Sequence, residues 1–240
     1  VATPALDKLA ENGVLVEHAY CTNPICKPSR ASIMIGLHLP RHGVTHLSGE
    51  LDLRQLIFPQ RLQEAEYRTG LIGKLHAQSG HVESQRRHPN NGFDTYDLYY
   101  GGGAMMTSPL NTYAPWCREK RPVVYERLKD LKKAAEPVPA EVHMNEWALG
   151  RTAAYLDAED DRPFFLMVSL FDPHNPYDDP PPVLEKRVDA SRLKPLVKPQ
   201  RHTWPEAVER HARDSYLADA AALSPETVHQ MRVGYHAEVA

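Results

Sequence analysis

Residues 146–174 read EWALGRTAAYLDAEDDRPFFLMVSLFDPH, a helical pattern that runs straight into a strand. Trp147, Arg151, Ala154, Tyr155 and Ala158 recur at helical spacing over 146–159. Pro163 closes that segment, because proline has no N–H to continue a helix. The run 164–170 is almost continuously apolar, the pattern of a strand covered on both faces. The same helix-then-strand order appears upstream. Thr3-Pro4, then Leu6, Leu9 and Ala10, with Gly13 beyond, predict a short capped helix. Residues 14–20 alternate loosely and predict a strand, 29–36 and 53–65 predict helices, and 69–72 predict a compact apolar strand. Ser224-Pro225 opens a final helix with Val228, Met231, Tyr235 and Val239 on one face. Repetition of this order predicts an α/β fold, with a mostly parallel or mixed sheet and helices on both faces.

Nothing else in the chain competes with that reading. Between Pro173 and Pro205 lie eight of the 21 prolines, which predicts an irregular surface excursion. No internal repeat, low-complexity tract or linker divides the chain, so residues 1–240 are expected to lie within a single domain. With 28 Lys+Arg against 31 Asp+Glu, the net charge of -3 offers no general attraction to nucleic acid or to an anionic membrane. The longest apolar run, 164–171, is far too short to span a bilayer. Three cysteines, Cys21, Cys26 and Cys117, are too few for a disulfide scaffold.

Chemistry begins at Cys26-Lys27-Pro28-Ser29-Arg30. Pro28 and Ser29 are both helix-start residues, which puts Cys26 in a turn just ahead of a helix N-terminus. The unpaired N–H groups there suit an anion, and Arg30 adds a fork of donors that fits a tetrahedral oxyanion. A cysteine so placed is reactive, whereas a lone cysteine is as often a small buried hydrophobe, and the pentapeptide alone leaves both readings open. Cys21 and Cys26 with His38 and His42 approach a zinc-site spacing, but Pro40 between the histidines keeps them from sharing a helix face. The strand at 69–72 delivers Lys74 and His76 at its C-terminal end, and the strand at 164–170 delivers His174 at the same kind of place. In open α/β sheets the ligand crevice lies outside the carboxyl ends of the strands. A cysteine, an arginine, a lysine and two histidines therefore converge on one edge.

These segments resemble a known family. Thr3-Pro4-Ala5-Leu6-Asp7, Ala19-Tyr20-Cys21, Cys26-Lys27-Pro28-Ser29-Arg30-Ala31-Ser32 and Arg41-His42-Gly43-Val44 are similar to the opening of a formylglycine-dependent sulfatase, of the alkaline phosphatase superfamily. The stretch from Tyr67-Arg68-Thr69-Gly70 through Gly73-Lys74-Leu75-His76 resembles that family's second signature. Gly92-Phe93-Asp94 and Asp172-Pro173-His174-Asn175-Pro176 match further landmarks in the right order. The combination is specific, while each element alone is weak.

The resemblance implies a mechanism. A maturation enzyme that reads Cys26, Pro28 and Arg30 would oxidise Cys26 to formylglycine. The hydrated aldehyde would bind a divalent cation, calcium or else magnesium, and attack the sulfur of a small sulfated substrate. The alcohol would leave, and the second hydroxyl would then expel sulfate. Arg30 would hold the formylglycine in place. Lys74 and His174 would contact the sulfate, and His76 would hydrogen-bond the nucleophile. Beyond Cys26 as formylglycine, the remaining metal ligands are expected outside this chain, which reads as truncated at both ends. The 240 residues by themselves are then expected to be inactive and to bind the cation weakly. Phosphonate or phosphate ester hydrolysis is the neighbouring alternative, and a non-catalytic binding relative the distant one. The chain departs from the family pattern at Glu66, where glycine is usual at a helix end, at Ile35 in place of threonine, and at Ala77 in place of a larger apolar residue. Glu66 is expected to cost some stability.

Overall fold

The computed structural model describes residues 3–130, 137–174, 177, 180–195 and 223–239. Among these, β1 (Arg68–Gly73), β2 (Thr95–Leu98) and β3 (Phe164–Ser169) form one parallel sheet in the order β2–β1–β3. The helices, in chain order, are α1 (Pro4–Glu11), α2 (Cys26–Ile35), α3 (Leu39–His42), α4 (Pro59–Glu64), α5 (Gly80–Glu83), α6 (Tyr113–Lys120), α7 (Pro122–Leu128), α8 (Met144–Leu156), α9 (Pro182–Glu185) and α10 (Pro225–Val239). The expected α/β class is what the structure shows, and the pairing within the described sheet is parallel throughout.

The central strand β1 is buried along its whole length, and its neighbouring side chains point to opposite faces. Leu71 enters a core with Ala31 and Met34 of α2, Ile57, Phe93 and Leu98. Ile72 enters the other core, with Tyr99, Tyr113 of α6, and Trp147 and Tyr155 of α8. Helices therefore cover both sides. From α8 the Tyr155 hydroxyl donates to the carbonyl of Arg68 at 2.9 Å, and the Arg151 guanidinium reaches Asp97 of β2 at 2.7 Å. One helix thus ties two strands together.

Register at the sheet's C-terminal edge is fixed by Gly73, which pairs with Leu98 on one side and Ser169 on the other. Its φ of 104° lies where side chains are strained, and a Cβ there would collide with the carbonyl oxygen of Ser169. Glycine lets β1 and β3 close together where the chain leaves the sheet.

Four expectations need correction. Residues 14–20 pair with no strand among the described residues, and Val14 is 91% exposed. Alternating residues need a hydrogen-bonding neighbour to become a strand, and none flanks them. The helix expected over 53–65 begins only at Pro59. Ahead of it, Asp52 accepts the N–H of Arg54 in a turn, and the N–H groups of Ile57 and Phe58 bond across to Asn90 and Met34. The helix expected over 29–36 begins at Cys26 instead, so Cys26 is its first residue and not a turn ahead of it. Pro28 is tolerated there because a first-turn N–H lacks an intrahelical partner anyway. Finally β3, expected to be covered on both faces, is the last strand of the described sheet, with Phe164 50% exposed. Smaller differences of one to three residues affect the ends of β1, α8 and β3. Asn175, Pro176, residues 178–179 and the stretch 196–205 lie outside the described residues.

Candidate active site

The carboxyl edge of β1 and β3 meets the N-terminus of α2, and the residues singled out from the sequence gather there. Cys26 opens α2 with a half-buried, free thiol. One turn on, Nη1 of Arg30 donates to the carbonyl of Lys74 at 3.0 Å and to Oγ of Ser169 at 2.9 Å. Arg30 thereby fastens the cysteine-bearing helix to the ends of two strands. Burial lowers its pKa, while negative charge at Cys26 and Glu83 opposes that shift.

Lys74 leaves β1 with its N–H bonded to the carbonyl of Ser169 at 2.9 Å. The residue is only 4% exposed, and among the described residues no carboxylate lies within ion-pair distance of it. Its ammonium instead sits 4.7 Å from the ring centroid of Phe171 and 5.5 Å from that of Tyr100. Desolvation lowers the pKa of Lys74, with Arg30 pushing the same way and a charged Cys26 pushing back.

His76 stands two residues further, in a left-handed conformation with φ 55°. Its ring packs edge-on against Tyr100 with centroids 4.8 Å apart, and its Nδ1 is buried without a hydrogen-bond partner among the described residues. Burial first, then the positive charges of Lys74, Arg30, Lys27 and His174, push its pKa down to about 3. The imidazole is therefore neutral across the physiological range. His174 arrives on the exposed side, its ring stacked on Phe171 at 4.5 Å and 25°. Phe171 thus supports both Lys74 and His174. All five residues are therefore in one neighbourhood, coupled through shared aromatic walls and mutual charge.

Four participants escaped the sequence reading. Lys27 is fully buried and pairs with Glu50 at 3.4 Å, and Glu50 also accepts the N–H of Ser79 at 3.1 Å. Tyr100 makes the wall between Lys74 and His76, and burial holds its hydroxyl protonated. Glu83 accepts the backbone N–H groups of His76 and Ala77 at 2.8 and 3.1 Å. Spacing alone marks none of them, since each acts across a loop. His42, weighed above as a metal ligand, accepts the N–H of Val44 on Nδ1 at 3.1 Å, which leaves Nε2 to bond Ser32 Oγ at 2.8 Å.

A hard divalent cation wants about six to eight oxygen ligands. Among the described residues no three His, Cys, Asp or Glu side chains gather to hold a metal, and Cys26 is coupled electrostatically to the cations Arg30 and Lys74. The described residues alone do not fit such an ion. What they do fit is an anion.

Comparison with known proteins agrees with this geometry. A family model described as Sulfatase matches residues 1–221. An arylsulfatase from Clostridium perfringens is 28% identical over 214 residues, covering 82% of this chain and 43% of that protein. The multifunctional alkaline phosphatase superfamily protein PehA of Trinickia caryophylli is 24% identical over 265 residues, covering 97% of this chain and 50% of its own length. The chain thus spans about half the length of the curated relatives it matches. Among solved structures, a phosphonate monoester hydrolase of Agrobacterium radiobacter shares the fold over 100% of this chain and 52% of its own, with a TM-score of 0.69 at 17% identity.

Proposed function

The chain belongs to the sulfatase family, and from that premise we propose that it carries the nucleophile and the anion-binding half of a site that hydrolyses a sulfate ester. The observation that carries the reading is Lys74, a buried ammonium held between two rings with no carboxylate partner among the described residues, beside Cys26. An uncompensated buried charge is costly, and a bound sulfate group removes that cost.

In this reading the thiol of Cys26 stands where a formylglycine side chain acts in the mature protein. That aldehyde, once hydrated, supplies a hydroxyl oxygen to attack sulfur. The chain's own residues do the rest. Arg30 holds the first turn of α2 against the carbonyl of Lys74 and Ser169 Oγ, so the nucleophile keeps its place. Lys74 and His174 bind the sulfate oxygens and support the negative charge that the ester oxygen carries away as the S–O bond breaks. His76, neutral at physiological pH, offers its unpartnered Nδ1 to the nucleophile's hydroxyl. Tyr100 and Phe171 fence water from the ammonium.

The shared fold with a phosphonate monoester hydrolase makes phosphonate esters the natural rival substrate. The test is to assay the full-length protein, made together with a maturation enzyme, on aryl sulfate and aryl phosphonate side by side. Sulfate release faster than phosphonate release is expected. A preference for the phosphonate would overturn the substrate class, and no turnover of either would overturn the hydrolase reading.

A further inference from the structure

Glu83 belongs to none of the motifs quoted above, yet it is only 1% exposed. Its Oε2 accepts the N–H of His76 at 2.8 Å and its Oε1 that of Ala77 at 3.1 Å, and the N–H of Gln78 bonds it as well. Three consecutive backbone donors can converge on one carboxyl group only where the chain turns sharply. Here the turn is made by His76 at φ 55°, in the left-handed region that residues other than glycine adopt uncommonly, histidine, asparagine and aspartate more often than the rest. A strained residue persists only when its surroundings over-determine it. The carboxyl of Glu83 is the group that does so.

The consequence reaches the pocket. The ring of His76 lies edge-on to Tyr100 with its Nδ1 buried and without a partner among the described residues. Relaxing φ at this residue would swing the ring off Tyr100.

We propose that Glu83 is a positioning residue, whose grip on the N–H groups of His76, Ala77 and Gln78 holds the His76 imidazole against Tyr100 at the candidate site. The proposal rests on the sulfate-ester reading for its kinetic readout alone. Burial outweighs the hydrogen bonds and pushes Glu83 up to about 7.

The experiment compares the full-length wild type with Glu83→Gln, His76→Ala and the double variant. Glu83→Gln keeps the shape, but its amide nitrogen faces backbone donors that it cannot accept from. With aryl sulfate, Glu83→Gln is expected to lower kcat by about 10- to 100-fold with a smaller change in KM, the scale of a misplaced group. Because Glu83 acts through His76, the double variant should lose no more than His76→Ala alone. Wild-type kcat in Glu83→Gln, or losses that multiply in the double variant, would overturn the proposal. A second readout needs no turnover. The amide proton signals of His76 and Ala77 should lie far downfield in the wild type and move upfield in Glu83→Gln, while those of β1 stay in place. Unmoved signals would overturn the proposal even in an active enzyme. If the wild type hydrolyses no aryl sulfate, the functional reading falls, and the amide signals still decide the role of Glu83. Should Glu83→Gln not fold, Glu83→Asp, one methylene too short to reach all three donors, replaces it in the same measurements.

Discussion

At the scale of single residues, the site gathers the cations Arg30 and Lys74, and neither has a carboxylate within ion-pair distance among the described residues. Arg30 spends its donors on the carbonyl of Lys74 and on Ser169, while Lys74 rests between Phe171 and Tyr100. Replacing Arg30, Lys74 or His174 by alanine in the full-length protein is predicted to lower turnover by about 10²–10³ each, with the fold intact by circular dichroism. Near-normal activity in any one variant removes that residue from the site. These three, with Cys26 and His76, were legible in the sequence because strand ends and a helix start sit at recognisable spacings. Lys27, Glu50, Tyr100 and Glu83 were not. Their partners lie across loops, and a buried carboxylate that holds backbone N–H groups looks the same in sequence as a solvated one.

At the scale of elements, helix and strand identities followed from periodicity and their limits from tertiary bonds. The strands β1 and β3 and the helix α8 were readable, since long apolar runs and proline punctuation persist whatever the context. Four-residue β2 (Thr-Tyr-Asp-Leu) carries too few residues to show a period and exists because it pairs with β1. Residues 14–20 show the converse, a periodic stretch with no ladder to join. The junction between α4 and β1 bears the departure noted at Glu66, whose φ of 62° lies in the left-handed region where glycine is favoured. Glu66→Gly is predicted to stabilise the protein by about 0.5–1 kcal/mol, net of glycine's greater freedom when unfolded. A urea midpoint that falls on substitution would show that the Glu66 side chain compensates its own strain.

At the scale of the whole molecule, protonation links the site to stability. Burial pushes His76 down to about 3 and His143 down to about 4, and it lowers His42 and His88 as well. A histidine depressed on folding contributes stability that is present above about pH 6.5 and is lost as pH falls toward its folded value. Glu83, raised to about 7, works the other way and gains as pH falls from 7 toward its ordinary range. Several histidines outweigh one carboxyl group, so the urea midpoint should be lower at pH 5 than at pH 7, and an equal or higher midpoint would contradict the burial of these rings. The nucleophile is the remaining question, and the sulfate-ester reading turns on Cys26. Mass spectrometry of the peptide that carries Cys26, from full-length protein made with a maturation enzyme, tests it most directly. An aldehyde in place of the Cys26 thiol, with Cys21 and Cys117 unmodified, is the predicted result, and a fully retained thiol at Cys26 would contradict the account.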